Sequence, residues 1–127
     1  MNKFVQIGAG SSDLDKNYED GFANFIKKNN QESEIYVVEA NSIHIEKLKQ
    51  SWTINKNVKI FNFAITPDNN QNKEMIFYYC EKDTPDFQIF SNSKKFVRKH
   101  FPDGKILQTT VNCKPLSIFF VENSLDE

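Results

Sequence analysis

Two glycines and a glutamate follow the first two predicted strands of the chain. The apolar run Phe4–Ile7 predicts a short buried strand that leads into Gly8-Ala9-Gly10. Glycine lets the backbone turn sharply and lets a ligand approach without a Cβ in the way. Glu39 ends the next strand-like run, where a carboxylate can accept hydrogen bonds from both ribose hydroxyls. The distance along the chain from Gly8 to Glu39 exceeds the usual ~20 residues, and the loop Ser11–Asp20 absorbs the excess.

A third strand end adds room for a flat base. Ala64 lies near the end of the apolar run 58–65, and its small side chain leaves space for adenine. Each signal alone has a plainer interpretation, since Gly-x-Gly also forms tight turns and a terminal Glu also caps helices. Their order on three successive strand ends favours a nucleoside-type ligand.

The residues after the glycine turn favour one nucleoside over another. A dinucleotide fingerprint has a third glycine, with the pyrophosphate at the helix N-terminus. This chain has Asp13 at that position, and Asp15, Glu19 and Asp20 follow. Four acids would repel a pyrophosphate but suit a cofactor with a sulfonium and an amino group. The predicted cofactor is therefore S-adenosylmethionine rather than NAD.

The elements that must position these residues alternate through the first half of the chain. Strands are predicted at 3–7, 35–38 and 58–65, with helical periodicity between them. The first helix has an apolar face of Tyr18, Phe22, Phe25 and Ile26, and the second, capped by Asn41, has a stripe of Ile45, Leu48 and Trp52. This β-α-β-α-β order predicts an α/β fold with parallel strands and flanking helices.

The second half changes character. The polar segment 66–73 predicts a surface loop, and the runs 74–80 and 106–111 predict strands. A short helix is expected from Ser93 to His100, and the segment Pro115–Val121 fits either a helix or a strand.

Several runs together resemble a known family. They are Val5–Gly10, Asp20-Gly21, Val38–Asn41, Asn57-Val58 and Asn62–Ile65, and, less closely, Glu74–Tyr79 and Thr110–Ser117. In these runs the chain resembles the FkbM-type methyltransferases. The resemblance implies a Rossmann-like class I methyltransferase sheet and O-methylation of a hydroxyl on a sugar or other small natural product. It implies that Gly8 and Gly10 line the methionine end and that Glu39 holds the ribose. The expected cofactor-binding residues are Gln6, Gly8, Ala9, Gly10, Glu39, Ala40 and Ala64.

One expected block of that family is missing after Thr110–Ser117. The family continues there with an acidic strand near the reaction centre, whereas this chain ends at Glu127. We therefore expect residues 1–127 to be one methyltransferase domain that is incomplete in its C-terminal half. The first strand would lose a neighbour and expose a hydrophobic edge. Either the product is truncated or self-association covers this edge, and a catalytically silent binding module of the same fold is the alternative function. A fragment of an NAD-dependent dehydrogenase is a third alternative.

Composition limits the partners. The formal net charge is -1 over 127 residues, no apolar run approaches a membrane span, and the N-terminus lacks a signal peptide. We expect a cytoplasmic protein with a small-molecule or glycan acceptor and no nucleic-acid or membrane partner. The basic run Lys94–Phe101 favours an amphipathic surface helix over a nucleic-acid site, and a lid over the substrate is a third interpretation.

No catalytic or metal site is predicted. Cys80 and Cys113 follow no metal-binding or redox spacing and are expected to be reduced thiols. Tyr78 and Tyr79 could offer hydroxyls to a substrate, but strand alternation favours one in the core and the other at the surface. His100 has a suitable unperturbed pKa for a general base, yet nothing else supports that role, so the catalytic residues stay unassigned.

Overall fold

The computed structural model describes residues 2–10, 21–29, 32–53, 57–85 and 87–126. No helix in this part of the chain is long and apolar enough to cross a membrane. The strands and helices, in chain order, are β1 Lys3–Ile7, α1 Gly21–Asn29, β2 Glu34–Val38, α2 Ile45–Ser51, β3 Val58–Phe61, β4 Ala64–Thr66, β5 Glu74–Cys80, α3 Lys94–His100, β6 Ile106–Pro115 and α4 Leu116–Glu122.

The first half forms a three-stranded parallel sheet in the order β1-β2-β3. Phe4 pairs with Ile35, and Ile35 pairs with Val58. The central strand β2 is the most buried of the three because helices cover both of its faces. The predicted α/β fold with parallel strands and flanking helices is confirmed for this half, and it is compatible with a Rossmann-like fold.

Two apolar clusters fix the helices on the sheet. On one face, Ala23 and Ile26 of α1 and Leu48 of α2 pack with the β2 residues Ile35 and Val37. On the other face, Phe119 of α4 packs against Tyr36 and Val38, also in β2. Consecutive β2 side chains thus alternate between the two clusters, as a pleated strand requires.

The predicted apolar face of the first helix is partly wrong. Ile26 is buried, but Phe25 is 54% exposed. The buried stripe centres on Ala23 and Ile26, and at about 100° per residue Phe25 lies well outside it. Tyr18 lies outside the described residues. The predicted stripe of the second helix is confirmed for Leu48 and Trp52, which are buried.

The predicted third strand forms two strands, β3 and β4, in two different sheets, because the extended strand is interrupted at Asn62. Its Nδ2 donates to the carbonyl oxygens of Glu39 at 2.9 Å and Ala40 at 3.2 Å. These bonds hold Asn62 against the turn that follows β2, so β3 stops at Phe61 and the chain leaves the first sheet. β4 then joins a second sheet of order β4-β6-β5.

The second sheet is mixed, which the expectation of parallel strands did not include. β4 pairs with β6 in parallel, whereas β5 pairs with β6 antiparallel. The predicted strand 74–80 is confirmed, and β6 extends four residues beyond the predicted 106–111. The helix expected after Ser93 is confirmed as α3, with the Ser93 hydroxyl accepting from Phe96 N at 3.2 Å. The segment after Pro115 is a helix.

Candidate functional site

A cleft of about 290 Å³ opens at the carboxyl ends of β1 and β2 and beside β4. Open α/β sheets bind ligands at such strand ends, because the loops there surround a crevice. Five of the seven expected cofactor-binding residues line this cleft: Gly8, Gly10, Glu39, Ala40 and Ala64. The structure therefore brings the three successive strand-end signals of the sequence to one place.

Glu39 joins the two turns that form the polar wall. Its Oε1 accepts from Gly10 N at 2.8 Å, and its Oε2 accepts from Asn41 N, also at 2.8 Å. The residue is 8% exposed. An ionised carboxylate has roughly four lone-pair positions, so each oxygen keeps capacity for one more donor. Two adjacent hydroxyls of a ligand match that capacity.

The glycine turn needs its glycines for backbone conformation rather than for lack of space. Gly8 and Gly10 have φ of +80° and +61°, in the left-handed region that disfavours a Cβ. A Cβ built at either position meets no atom of the described residues within 4 Å. Gly8 N donates to Val38 O at 2.8 Å, which fixes the turn against the end of β2. Both residues therefore leave open space on the cleft side.

Gln6 and Ala9, also expected to bind the cofactor, do not line the cleft. Ala9 is 1% exposed and belongs to the apolar cluster beneath the turn, with Ile35 and Trp52. Its contribution is to anchor the glycine turn to the core. Gln6 lies half-buried within β1, before the turn.

An aromatic wall completes the cleft, and its residues were not predicted from the sequence, apart from Phe63 at the predicted strand end beside Ala64. Phe63 lies between β3 and β4, Phe77 comes from β5, and Phe87 and Phe90 come from the following loop. The rings of Phe77 and Phe90 are 4.9 Å apart. No local spacing predicts this wall, because β5 reaches the cleft only through its pairing with β6.

His44 is a further residue of the cleft that was not predicted from the sequence. It ends a short 3-10 turn, Ser42–His44, is buried, and lines the cleft. The Asn41 side chain starts this turn by accepting from Ile43 N at 3.3 Å, as its predicted capping role requires. By contrast, His100 is exposed on α3, with its Nδ1 3.1 Å from Phe96 O, and does not line the cleft. The position of His44 five residues after Glu39 was the available signal.

The lining of the cleft combines one carboxylate with a group of apolar and aromatic side chains. Glu39 is the only Asp, Glu, Lys or Arg among its described lining residues. The acids Asp13, Asp15, Glu19 and Asp20 lie outside the described residues. Within the described part of the chain, no three His, Cys, Asp or Glu side chains cluster closely enough to hold a metal ion. The arrangement suits a ligand with neighbouring hydroxyls at one end and a flat apolar ring at the other.

Cys80 and Cys113 are free thiols away from this cleft. Partial burial is the main cause that raises the pKa of the Cys113 thiol, and the nearby Glu74 carboxylate raises it further. A raised pKa lowers the thiolate fraction and hence its reactivity.

Comparison with protein-family models, with curated proteins and with solved structures finds no match for this chain.

Proposed function

We propose that this chain binds S-adenosylmethionine in the cleft and forms the cofactor-binding part of a methyltransferase with a Rossmann-like fold. The reaction would be O-methylation of a hydroxyl on a sugar or other small natural product. The observation that carries the proposal is the buried Glu39 carboxylate, held between Gly10 N and Asn41 N at the end of the central parallel strand.

The two walls support a nucleoside. The Glu39 oxygens would accept from the two ribose hydroxyls, and Ala64 with Phe63 would receive the adenine. Gly8 and Gly10 would line the methionine end, where their missing side chains leave the cleft open. When bound, the cofactor supplies an electrophilic methyl group on a positively charged sulfur.

The charge of the cleft supports a sulfonium cofactor over a dinucleotide. No Lys or Arg is among its described lining residues, and its fixed charge is the Glu39 carboxylate. A pyrophosphate would find no cationic partner among these described residues and would face an anion, which costs Coulomb energy in a partly buried site. A cation on the ligand gains energy from the same carboxylate.

The chain's own contribution to methyl transfer would be placement. Holding two reactants in line converts a bimolecular step into an effectively unimolecular one. Ala9, buried beneath the glycine turn, and Val38, which lines the cleft, restrain the turns that carry Gly8 and Glu39. No residue is assigned to accept the proton of the acceptor hydroxyl.

Calorimetric titration with S-adenosylhomocysteine, with NAD as the control ligand, tests the proposal. We expect saturable binding of S-adenosylhomocysteine alone. Glu39→Gln should weaken it at least tenfold, while the matched exposed variant Glu46→Gln should leave it unchanged. Circular dichroism of each variant checks that the fold is retained. Binding of NAD alone would replace the methyltransferase proposal with that of a dehydrogenase fragment.

A catalytically silent module of the same fold is the second candidate. The observation that favours it is the outer edge of β1, which pairs with no strand among the described residues. A methyl-transfer assay with radiolabelled S-adenosylmethionine and a panel of hydroxylated acceptors separates the two. Binding of S-adenosylhomocysteine without turnover on any acceptor would favour the silent module.

A further inference from the structure

A second cleft, of about 430 Å³, lies beside the first. Asn41, Phe87 and Phe90 line both clefts, so the two share a wall. The remaining lining residues are Ser42, Ile43, Tyr79, Leu107 and Thr109. The volume falls within the range of about 300–1,000 Å³ typical of small-molecule sites.

Tyr79 of the second cleft packs edge-on or tilted against the two aromatic rings of the shared wall, Phe87 and Phe90. The Tyr79 ring lies 5.2 Å from Phe87 in an edge-on arrangement and 6.2 Å from Phe90. All three rings are only half-buried, so they present ring surface to the second cleft. A further ring placed there gains both apolar burial and the offset or edge-on geometry that aromatic pairs prefer.

The backbone at Phe87 holds the shared wall in a costly conformation. Its φ is +47°, in the left-handed region, which is unfavourable for a bulky residue. Two hydrogen bonds of 2.7 Å to Asp83 sustain it: Phe87 N donates to the carbonyl oxygen, and Ile89 N donates to Oδ2. Strain of this kind persists at ligand sites, where it fixes a side chain in place.

No charged side chain is among the described residues that line the second cleft. Their polar groups are the Asn41 amide and the hydroxyls of Ser42, Tyr79 and Thr109. A carboxylate or phosphate placed here would lose hydration without gaining a cationic partner, and that costs free energy. A neutral hydroxyl can bond to the amide and hydroxyl groups instead.

We propose that the second cleft binds an uncharged aromatic alcohol, whose ring packs against Tyr79, Phe87 and Phe90. Its role as the methyl-acceptor site rests on the proposed function, since the clefts adjoin at the shared wall. The binding itself depends only on the shape and charge of the second cleft. The methyl acceptor would then be a neutral aromatic alcohol rather than any hydroxyl compound.

Calorimetry with 2-naphthol tests this, with 6-hydroxynaphthalene-2-sulfonate as an anionic analogue and methyl glucoside as a neutral sugar. We expect 2-naphthol to bind saturably and both comparison ligands at least tenfold more weakly. Ile43 is half-exposed and lines only the second of these two clefts. Ile43→Arg should weaken 2-naphthol at least tenfold and remove the preference over the sulfonate. The matched variant is Ile76→Arg, at an exposed isoleucine of β5 outside both clefts. It should change the affinity for neither ligand.

The outcomes separate this inference from the proposed function. Saturable 2-naphthol binding with no S-adenosylhomocysteine binding would support the aromatic site and overturn the methyltransferase. S-adenosylhomocysteine binding with no 2-naphthol binding would overturn the aromatic site alone. The aromatic site would also be overturned by equal affinity for 2-naphthol and its sulfonate or by tighter binding of the glucoside. The same holds if Ile43→Arg binds 2-naphthol with the affinity of the parent.

Discussion

The Glu39 carboxylate contributes to the fold as well as to the proposed ligand site. It connects the turn after β1 to the turn after β2 through Gly10 N and Asn41 N. Both of these backbone donors would otherwise lie unpaired beside a nearly buried side chain. A loss of binding on mutation of Glu39 is therefore informative only if its effect on stability is measured too.

Glu39→Gln should lower the free energy of unfolding by about 1–3 kcal/mol, the cost of leaving a buried polar group unsatisfied. The amide nitrogen of glutamine would face one of the two backbone donors instead of accepting from it. Urea denaturation measures the change. Glu46, whose side chain is 83% exposed on α2, is the matched control, and Glu46→Gln should stay within about 0.5 kcal/mol of the parent. Equal effects of the two variants would contradict the connection between the turns.

Gly8→Ala should lower the free energy of unfolding by about 1–2 kcal/mol, because its φ of +80° lies in the left-handed region. Gly21 begins α1 without such a φ. There the alanine substitution should be neutral or stabilising by up to about 1 kcal/mol. In both variants the new Cβ meets no described atom within 4 Å, so their difference in denaturation midpoint isolates the backbone conformation. Similar midpoints would argue against a left-handed turn at Gly8.

At the residue scale, the sequence predicts what is local. Gly8, Gly10 and Glu39 could be found because each lies directly at or after a strand end, and parallel strands bring those ends together. Phe77 and Phe87 could not be found in this way. They reach the cleft through the antiparallel pairing of β5 with β6 and through a loop that folds back from it. Nothing in the local spacing specifies that pairing.

At the element scale, side-chain anchors decide boundaries that periodicity leaves open. The apolar run 58–65 continues through Asn62, so its pattern predicts one strand. The two hydrogen bonds from the Asn62 amide to the turn after β2 break that strand. Likewise, α4 begins at Leu116 after Pro115, which makes no side-chain capping bond. Its capping group comes from a distant loop.

Asp68 provides that cap: its Oδ1 accepts from Ser117 N at 3.0 Å, across 49 residues of sequence. Hydrogen bonds from the backbone and side chain of Ser117 lower the pKa of Asp68. A lowered folded-state pKa stabilises the fold above the unfolded-state pKa, and this contribution disappears as pH falls through the folded-state value. Asp68→Asn should therefore lower stability at neutral pH, and the difference from the parent should shrink as the pH falls from neutral through the lowered folded-state pKa.

Carboxyl NMR titration of Asp68, together with denaturation of both proteins across that pH range, measures this effect. Asp126→Asn, at an exposed position near the end of the described chain, is the control and should not reproduce the pH-dependent difference. A stability difference that stays constant with pH would show that the Asp68 carboxylate does not cap α4.

At the scale of the whole molecule, α4 ties the two sheets together. Phe119 is fully buried, with its ring 5.2 Å from Phe61 in β3 and 5.6 Å from Phe63 at the break before β4. Phe119→Ala should lower the free energy of unfolding by about 3–5 kcal/mol, the range for truncation of a buried phenylalanine. Val121→Ala, on the exposed side of the same helix, should change stability by at most about 0.5 kcal/mol. Denaturation that follows far-UV circular dichroism provides both values.

The parallel half was predictable as a whole because its alternating strand and helix patterns leave few topologies. The second half was not. The pairing of β4 with β6 depends on the break at Asn62, and the antiparallel partner of β6 lies some thirty residues earlier in the chain. Predicting each strand of that half therefore did not predict the sheet that contains it.

The free edge of β1 bears on assembly. Among the described strands, β1 pairs only with β2, and Ile7 at its end is 50% exposed. An unpaired edge with exposed apolar side chains is a template for another strand. We expect a second copy of this chain to cover it, so sedimentation velocity should show dimers that increase with concentration. Ile7→Lys places a charge on the edge and should shift the chain to monomer, whereas Ile76→Lys on β5 should not. A parent chain that stays monomeric at every concentration would leave the edge uncovered and rule out this association.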